Sequence, residues 1–301
     1  MTANNQHLQH LARIPLAAAL ILAASPASAC SNHTKPIAVG GVDGFASLAN
    51  PANTAILRSS CKVSLYIHGY IWTRLKKGSN IRHKILKVFK GTGPAMVELG
   101  ASPNTAAFFG TYYEQNFRAR GVIAHIATIN GADGLTLPQW KNYVTAGKSE
   151  GLKIIAPDFA PNVDQDWHNG TIDRHLWNQN KRRALIGGAL AIDAPPSFFF
   201  WYTPNYRHFI VHEIQWANQN HLRSILIISP NTARRRFLSD TQQMIAYLTR
   251  QNANPTNYVV ENYESLPWPK SFINLVGSET SRYSITGVAL WLTTLFPKQT
   301  N

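Results

Sequence analysis

Leu152-Lys153-Ile154-Ile155-Ala156-Pro157-Asp158-Phe159-Ala160-Pro161-Asn162 is a short apolar, β-rich run. It ends abruptly in Pro157-Asp158 and is punctuated again by Pro161-Asn162. Bounded by Gly151 and the prolines, it reads as a buried strand rather than a helix. An acid at the C-terminal end of a buried parallel strand stands where α/β proteins place their chemistry. The same residue type also forms turns and caps helices.

Working outward, the pattern repeats. Strand-like runs are expected at 62–68 (KVSLYIH), 95–99 (AMVEL), 122–129, 189–193, 224–229 (SILIIS), 258–261 and 285–292 (ITGVALWL). Amphipathic segments at 80–90, 104–120, 137–150, 171–186, 205–220 and 239–251 lie between them. Eight strand-like runs alternating with helical ones predict parallel β/α units. Eight units in roughly 240 residues fit a (β/α)8 TIM barrel in count and size. An open doubly wound sheet is the runner-up, and no Gly-rich phosphate loop after the first strand supports it. Pro-Asn recurs at Pro103-Asn104, Pro161-Asn162, Pro204-Asn205 and Pro230-Asn231, each a turn followed by a capping Asn. With 285–292 taken as the eighth strand, little chain is left for a last helix, so the final unit reads as reduced.

The first 29 residues read as a leader rather than as fold. Arg13 precedes the apolar run 14–24, and Ala27-Ser28-Ala29 offers a small-residue cleavage site before Cys30. The apolar run is too short for a membrane span. A mature chain starting at Cys30 has an arm at 30–61, rich in Gly and Asn-Pro turns, and a barrel domain at 62–301. Cys30 either pairs with Cys61, the only other cysteine, or carries a lipid at a lipoprotein-like box. The expected location is secreted or periplasmic.

The full chain carries 29 Lys and Arg against 15 Asp and Glu, a net +14. So basic an exported chain is expected to meet an anionic polymer or surface. The clusters Lys181-Arg182-Arg183 and Arg234-Arg235-Arg236 read as solvated helix faces. No helix-turn-helix, zinc-finger or RNA-binding signature appears, so no specific nucleic acid is expected.

Polar residues at the strand ends define the candidate site. Asp158, Glu261 and Asp193 are the candidate catalytic carboxylates. His68, Tyr70, Glu98, Asn130, Asn162, Asn231, Asn262, Tyr263 and Trp291 are the candidate substrate-binding residues. Phe159, Trp167, Tyr202 and Trp268 add aromatic surface beside them. Carboxylates held in differing environments cleave glycosidic bonds by acid and base or nucleophile roles. Aromatic faces stack on sugar rings, and Asn and His hold hydroxyls. His125 reads as a core histidine and Glu213 as a helix-face residue.

With its acids at these strand ends, the chain resembles the large group of glycoside hydrolases built on TIM barrels, over most of 62–292. The resemblance implies an acid after strand four and a nucleophile after strand seven, the addresses this reading gives Asp158 and Glu261. It also implies a Trp near the end of strand eight, where Trp291 falls. The Asn-Glu pair common at strand four of that group is absent, and Pro157-Asp158 stands there instead. The spaced acidic run of the chitinase-like families is absent too.

Other chemistry finds less support. There is no Gly-x-Ser-x-Gly elbow, no His-x-His and no His-Glu-x-x-His, so no cofactor or metal is expected. Two further readings stay open. One is a non-catalytic barrel that binds envelope polysaccharide. The other is a lyase or phosphodiesterase that uses His68 and basic residues on an anionic polymer.

Overall fold

Aliphatic residues recur at every second position in eight short runs, and each run forms a strand. The computed structural model describes residues 36–41, 62–68, 80, 83, 95–101, 124–159, 174–201, 204–229, 236–262 and 285–296. The strands are β1 (Ile37–Gly41), β2 (Val63–His68), β3 (Ala95–Gly100), β4 (Ala124–Asn130), β5 (Ile154–Phe159), β6 (Ala189–Asp193), β7 (Arg223–Ile228) and β8 (Asn257–Asn262). Each pairs in parallel with the next, and β8 pairs with β1, closing a barrel. The described helices are α1 (Leu137–Ser149), α2 (Arg174–Gly187), α3 (Pro196–Trp201), α4 (Pro204–Gln219), α5 (Phe237–Arg250) and α6 (Ile285–Leu292). This is the (β/α)8 TIM-barrel architecture that the alternation of runs predicts.

Strand alternation sorts the apolar residues into two cores. Ala38, Tyr66, Met96, Ile126, Ala156, Ala191, Ile225, Ile227 and Val259 fill the barrel interior. Ile37, Val39, Ile67, Val97, Ile129, Ile155, Leu190, Ile192, Leu226 and Val260 face the helices. The register of β3 and β4 slips between Ala95 and Met96. That slip leaves Ala124 in the outer core and Ile126 in the inner one.

Two elements differ from the sequence reading. β1 lies inside the stretch read as an irregular arm, 30–61, so the barrel begins before Cys61. Ile37, Ala38 and Val39 are fully buried because β1 pairs on both sides, with β2 and β8. Gly40 permits the close approach to β2, since a Cβ there would fall on the Tyr66 carbonyl. At the other end, 285–292 is helix α6 rather than a strand. Its buried Val288, Ala289 and Leu292 follow helical spacing and pack toward β1 and β8. The last unit therefore closes on an eight-residue helix. The count of eight strands stands, but every strand from 62 to 262 moves up one place.

The basic cluster on α2 is not a solvated face throughout. Arg183 is 1% exposed. Lys181 lies over the Trp177 and Trp216 rings and pairs with buried Glu213 at 3.3 Å. Glu213 is thus a buried ion partner rather than an open helix-face residue, its carboxyl pushed up to about 8 by burial. Arg234 and Arg235 lie outside the described residues, as do 1–29, Cys30 and Cys61. Among the described residues, no helix is long and apolar enough to cross a membrane.

Candidate active site

The inward positions near the C-terminal ends of β3, β5, β6 and β8 carry Glu98, Asp158, Asp193 and Glu261. Their common inward phase follows from the alternation that puts Met96, Ala156, Ala191 and Val259 in the inner core. The chain has only 15 acids, and four of them converge on one barrel mouth.

Glu98 is 5% exposed and Glu261 2%. Asp158 and Asp193 are half-buried as residues, yet Oδ1 of each is fully buried. Neither of these Oδ1 atoms, nor Oε2 of Glu261, has a hydrogen-bond partner among the described residues. Glu98 is held differently. The Tyr66 hydroxyl donates to its Oε2 at 2.7 Å, and Nδ2 of Asn130 lies 3.5 Å from its Oε1. Tyr66 also meets Thr128 Oγ1 at 3.0 Å.

Burial raises the proton affinity of all four carboxyls, and their mutual repulsion raises it further in three of them. Glu98 rises to about 7 through burial, opposed by the bonds from Tyr66 and Asn130. Asp158 rises to about 8, through burial and then the charge of Glu98. Asp193 is pushed well up by burial, then by Asp158 and Glu98. Glu261 is pushed well up by burial, then by Glu98, Asp193 and Asp158. Burial, then Glu98, Glu261 and Asp158, hold the Tyr66 phenol in its protonated form. Such a set gives up its protons in separated steps. Near neutral pH it can hold a charged carboxylate beside protonated ones, the division of labour that acid–base chemistry needs.

The other sequence candidates fall as follows. His68 ends β2 opposite Glu98 in the register, and Asn262 ends β8 opposite Gly41. Their side chains are not among those described. Tyr70, Asn162, Asn231, Tyr263, Trp167, Tyr202 and Trp268 also lie outside the described residues. Trp291 sits on α6 and packs against the outer core, so it does not line the mouth. Phe159 faces outward too, toward Phe209 at 5.7 Å, because it follows Asp158 and points the opposite way. The carboxylates stand on β3, β5, β6 and β8, not on the fourth and seventh strands that the glycosidase resemblance implies. Tyr66 and Thr128 were not anticipated. The signal was present in VSLYIH, where period two puts the Tyr66 hydroxyl inside a barrel and so demands a polar partner. Among the described residues, no three His, Cys, Asp or Glu side chains are placed to share one metal ion.

No protein-family model and no curated protein sequence matches the chain. Among solved structures, a GH99 endo-alpha-mannosidase from Bacteroides thetaiotaomicron is similar over 84% of this chain and 80% of that one, at 9% identity and TM-score 0.50. A second GH99 endo-alpha-mannosidase structure from that organism, in complex with BIS-TRIS-Propane, matches 82% of this chain and 83% of that one, at 10% identity and TM-score 0.52. A sugar phosphate isomerase/epimerase from Parabacteroides distasonis covers 87% of this chain and 95% of its own, at 10% identity and TM-score 0.46. At such identities the likeness is one of fold.

Proposed function

We propose that the chain is a glycosidase-like TIM barrel that cleaves a carbohydrate polymer by carboxylate acid–base chemistry, and that it is exported by its N-terminal leader. The observation that supports this reading best is the convergence of Glu98, Asp158, Asp193 and Glu261 with proton affinities raised by burial and, in the last three, by one another's charge. Glycosidic cleavage needs one carboxylic acid to protonate the leaving oxygen and one carboxylate to act as base or nucleophile. In this reading Asp158 is the proton donor, since its proton stays on to about pH 8. Glu98, whose charged form the Tyr66 and Asn130 bonds favour, is the charged partner. The fold likeness to a GH99 endo-alpha-mannosidase is compatible with a carbohydrate substrate.

A second reading is a barrel that binds polysaccharide without cleaving it. The absence of a carboxylate from β4 and β7 favours it, because the glycosidase group places its pair there. Reducing-end release from a panel of polysaccharides separates the two. The expected result is release by the parent chain, reduced about 100-fold or more in Asp158→Asn and in Glu98→Gln, the usual scale for losing a general acid or base. Unchanged release by both variants removes the catalytic assignment. Binding without release by the parent leaves the binding reading.

A further inference from the structure

The net charge of +14 argues for anionic partners, but the barrel mouth has the opposite character. Asp158, Asp193 and Glu261 come from three different strands, and among the described residues every charge that acts on them is another carboxylate. Each also leaves one buried oxygen without a hydrogen-bond donor. Glu261 makes the point most sharply, since it is 2% exposed and faces the other acids with Oε2 unpaired. Buried polar atoms almost always have partners, so three unmatched oxygens at one end of the barrel call for a ligand that brings donors. A water molecule can satisfy an oxygen, but it brings no positive charge to the carboxyls when they ionise.

We infer that the mouth takes a positively charged group, and that the carbohydrate bound there is an amino sugar with a free, protonated amine. The sugar part rests on the glycosidase-like reading, whereas the charge rests on the three carboxyls alone. An ammonium group offers donors and no acceptor, and it favours the ionised, acceptor-only form of the carboxyls that it meets. No three described acids are placed to share one metal ion, which favours an organic cation over a bare one. An anionic ligand would add like charge beside whichever of these carboxyls is ionised.

Binding a cation lowers the proton affinity of the facing groups, which are Glu98, Asp158, Asp193, Glu261 and the Tyr66 phenol. Asp158, largely protonated at pH 7, then releases its proton on binding.

The test is calorimetric titration of the full chain with a glucosamine oligosaccharide, its fully N-acetylated counterpart and a uronic acid oligosaccharide of the same length. Repeating it in buffers of different ionisation enthalpy counts the protons released. The free-amine ligand is expected to bind about tenfold tighter or more, the worth of one charge-assisted hydrogen bond, and to release protons. Asp193→Asn and Glu261→Gln, each verified as folded by its thermal melt, are expected to bring its affinity down toward that of the acetylated ligand. Equal or tighter binding of the acetylated or uronic ligand overturns the inference, as does the absence of binding by the free-amine ligand. Cleavage of neutral glycans with no amine preference overturns it and keeps the glycosidase reading. Amine-selective binding without any cleavage keeps the inference and ends that reading.

Discussion

The Tyr66 hydroxyl donates to Glu98 Oε2 at 2.7 Å and meets Thr128 Oγ1 at 3.0 Å inside the barrel. The single phenol proton is committed to Glu98, so Thr128 supplies the proton of the second bond. This pair separates Glu98 from the other three acids, because a hydrogen bond donated to a carboxylate favours its charged form. Tyr66→Phe keeps the ring and removes the donor. The apparent pKa that governs the acidic limb of the activity profile should then move upward, since Glu98 loses a bond that holds its proton affinity down. Stability should fall by about 1–3 kcal/mol, the penalty for leaving one buried acceptor unsatisfied. A pH–rate profile and urea unfolding measure the two effects. A stability loss with an unmoved profile would assign Tyr66 to packing alone.

The raised carboxyls also set how stability depends on pH. In the unfolded chain these groups ionise near their ordinary values, while in the fold they keep their protons to higher pH. Between those limits the native state binds more protons, so stability is fullest below about pH 4 and declines as pH rises. The decline runs to about pH 7 for Glu98 and to about pH 8 for Asp158. Asp193→Asn replaces one of the acids with a neutral group of the same shape. It should raise stability at pH 8 by about 1–3 kcal/mol, the scale for one poorly satisfied buried group, and change little at pH 4. Melting curves at both pH values decide this. A variant less stable than the parent at pH 8 would mean that Asp193 has a stabilising partner.

These residues show how far the sequence carried the argument. β2 to β8 were legible because each is a short aliphatic run with turn residues beside it. β1 was hidden because it is five residues long, ends in two glycines and lies in a turn-rich stretch. α6 read as a strand because ITGVALWL is apolar on most faces, and periodicity alone does not separate a buried helix from a buried strand. One missed strand and one false one cancelled in the count. They did not cancel in the addresses, which is why Asp158 stands on β5 and Glu261 on β8. The acids themselves were legible, since a charged residue closing an apolar run is conspicuous. Which way an aromatic beside them faced was not, because a single step along a strand reverses the side, as Phe159 shows next to Asp158.

Arg183 belongs to a basic run whose sequence suggests a solvated face, yet it is buried in a lattice of acceptors. Its Nη2 donates to the carbonyls of Asp133 and Leu135 at 3.1 and 2.6 Å and to Gln179 Oε1 at 3.1 Å, while Nη1 donates to Asn180 Oδ1 at 3.0 Å. Its own carbonyl accepts from Trp140 Nε1 at 2.9 Å. The guanidinium therefore clamps the turn that follows β4 onto α2, and that turn continues directly from Asn130, which lies beside Glu98. Lysine carries the same charge but places its donors at one point, so it cannot span these acceptors. Arg183→Lys should lower stability by about 2–4 kcal/mol by leaving several buried acceptors unmatched. Arg182→Met, one residue away and exposed, should change it by less than about 0.5 kcal/mol. Urea midpoints of the two variants make the comparison. Equal midpoints would show that the charge at 183 is solvated after all, and that the β4 turn is held by its own backbone bonds.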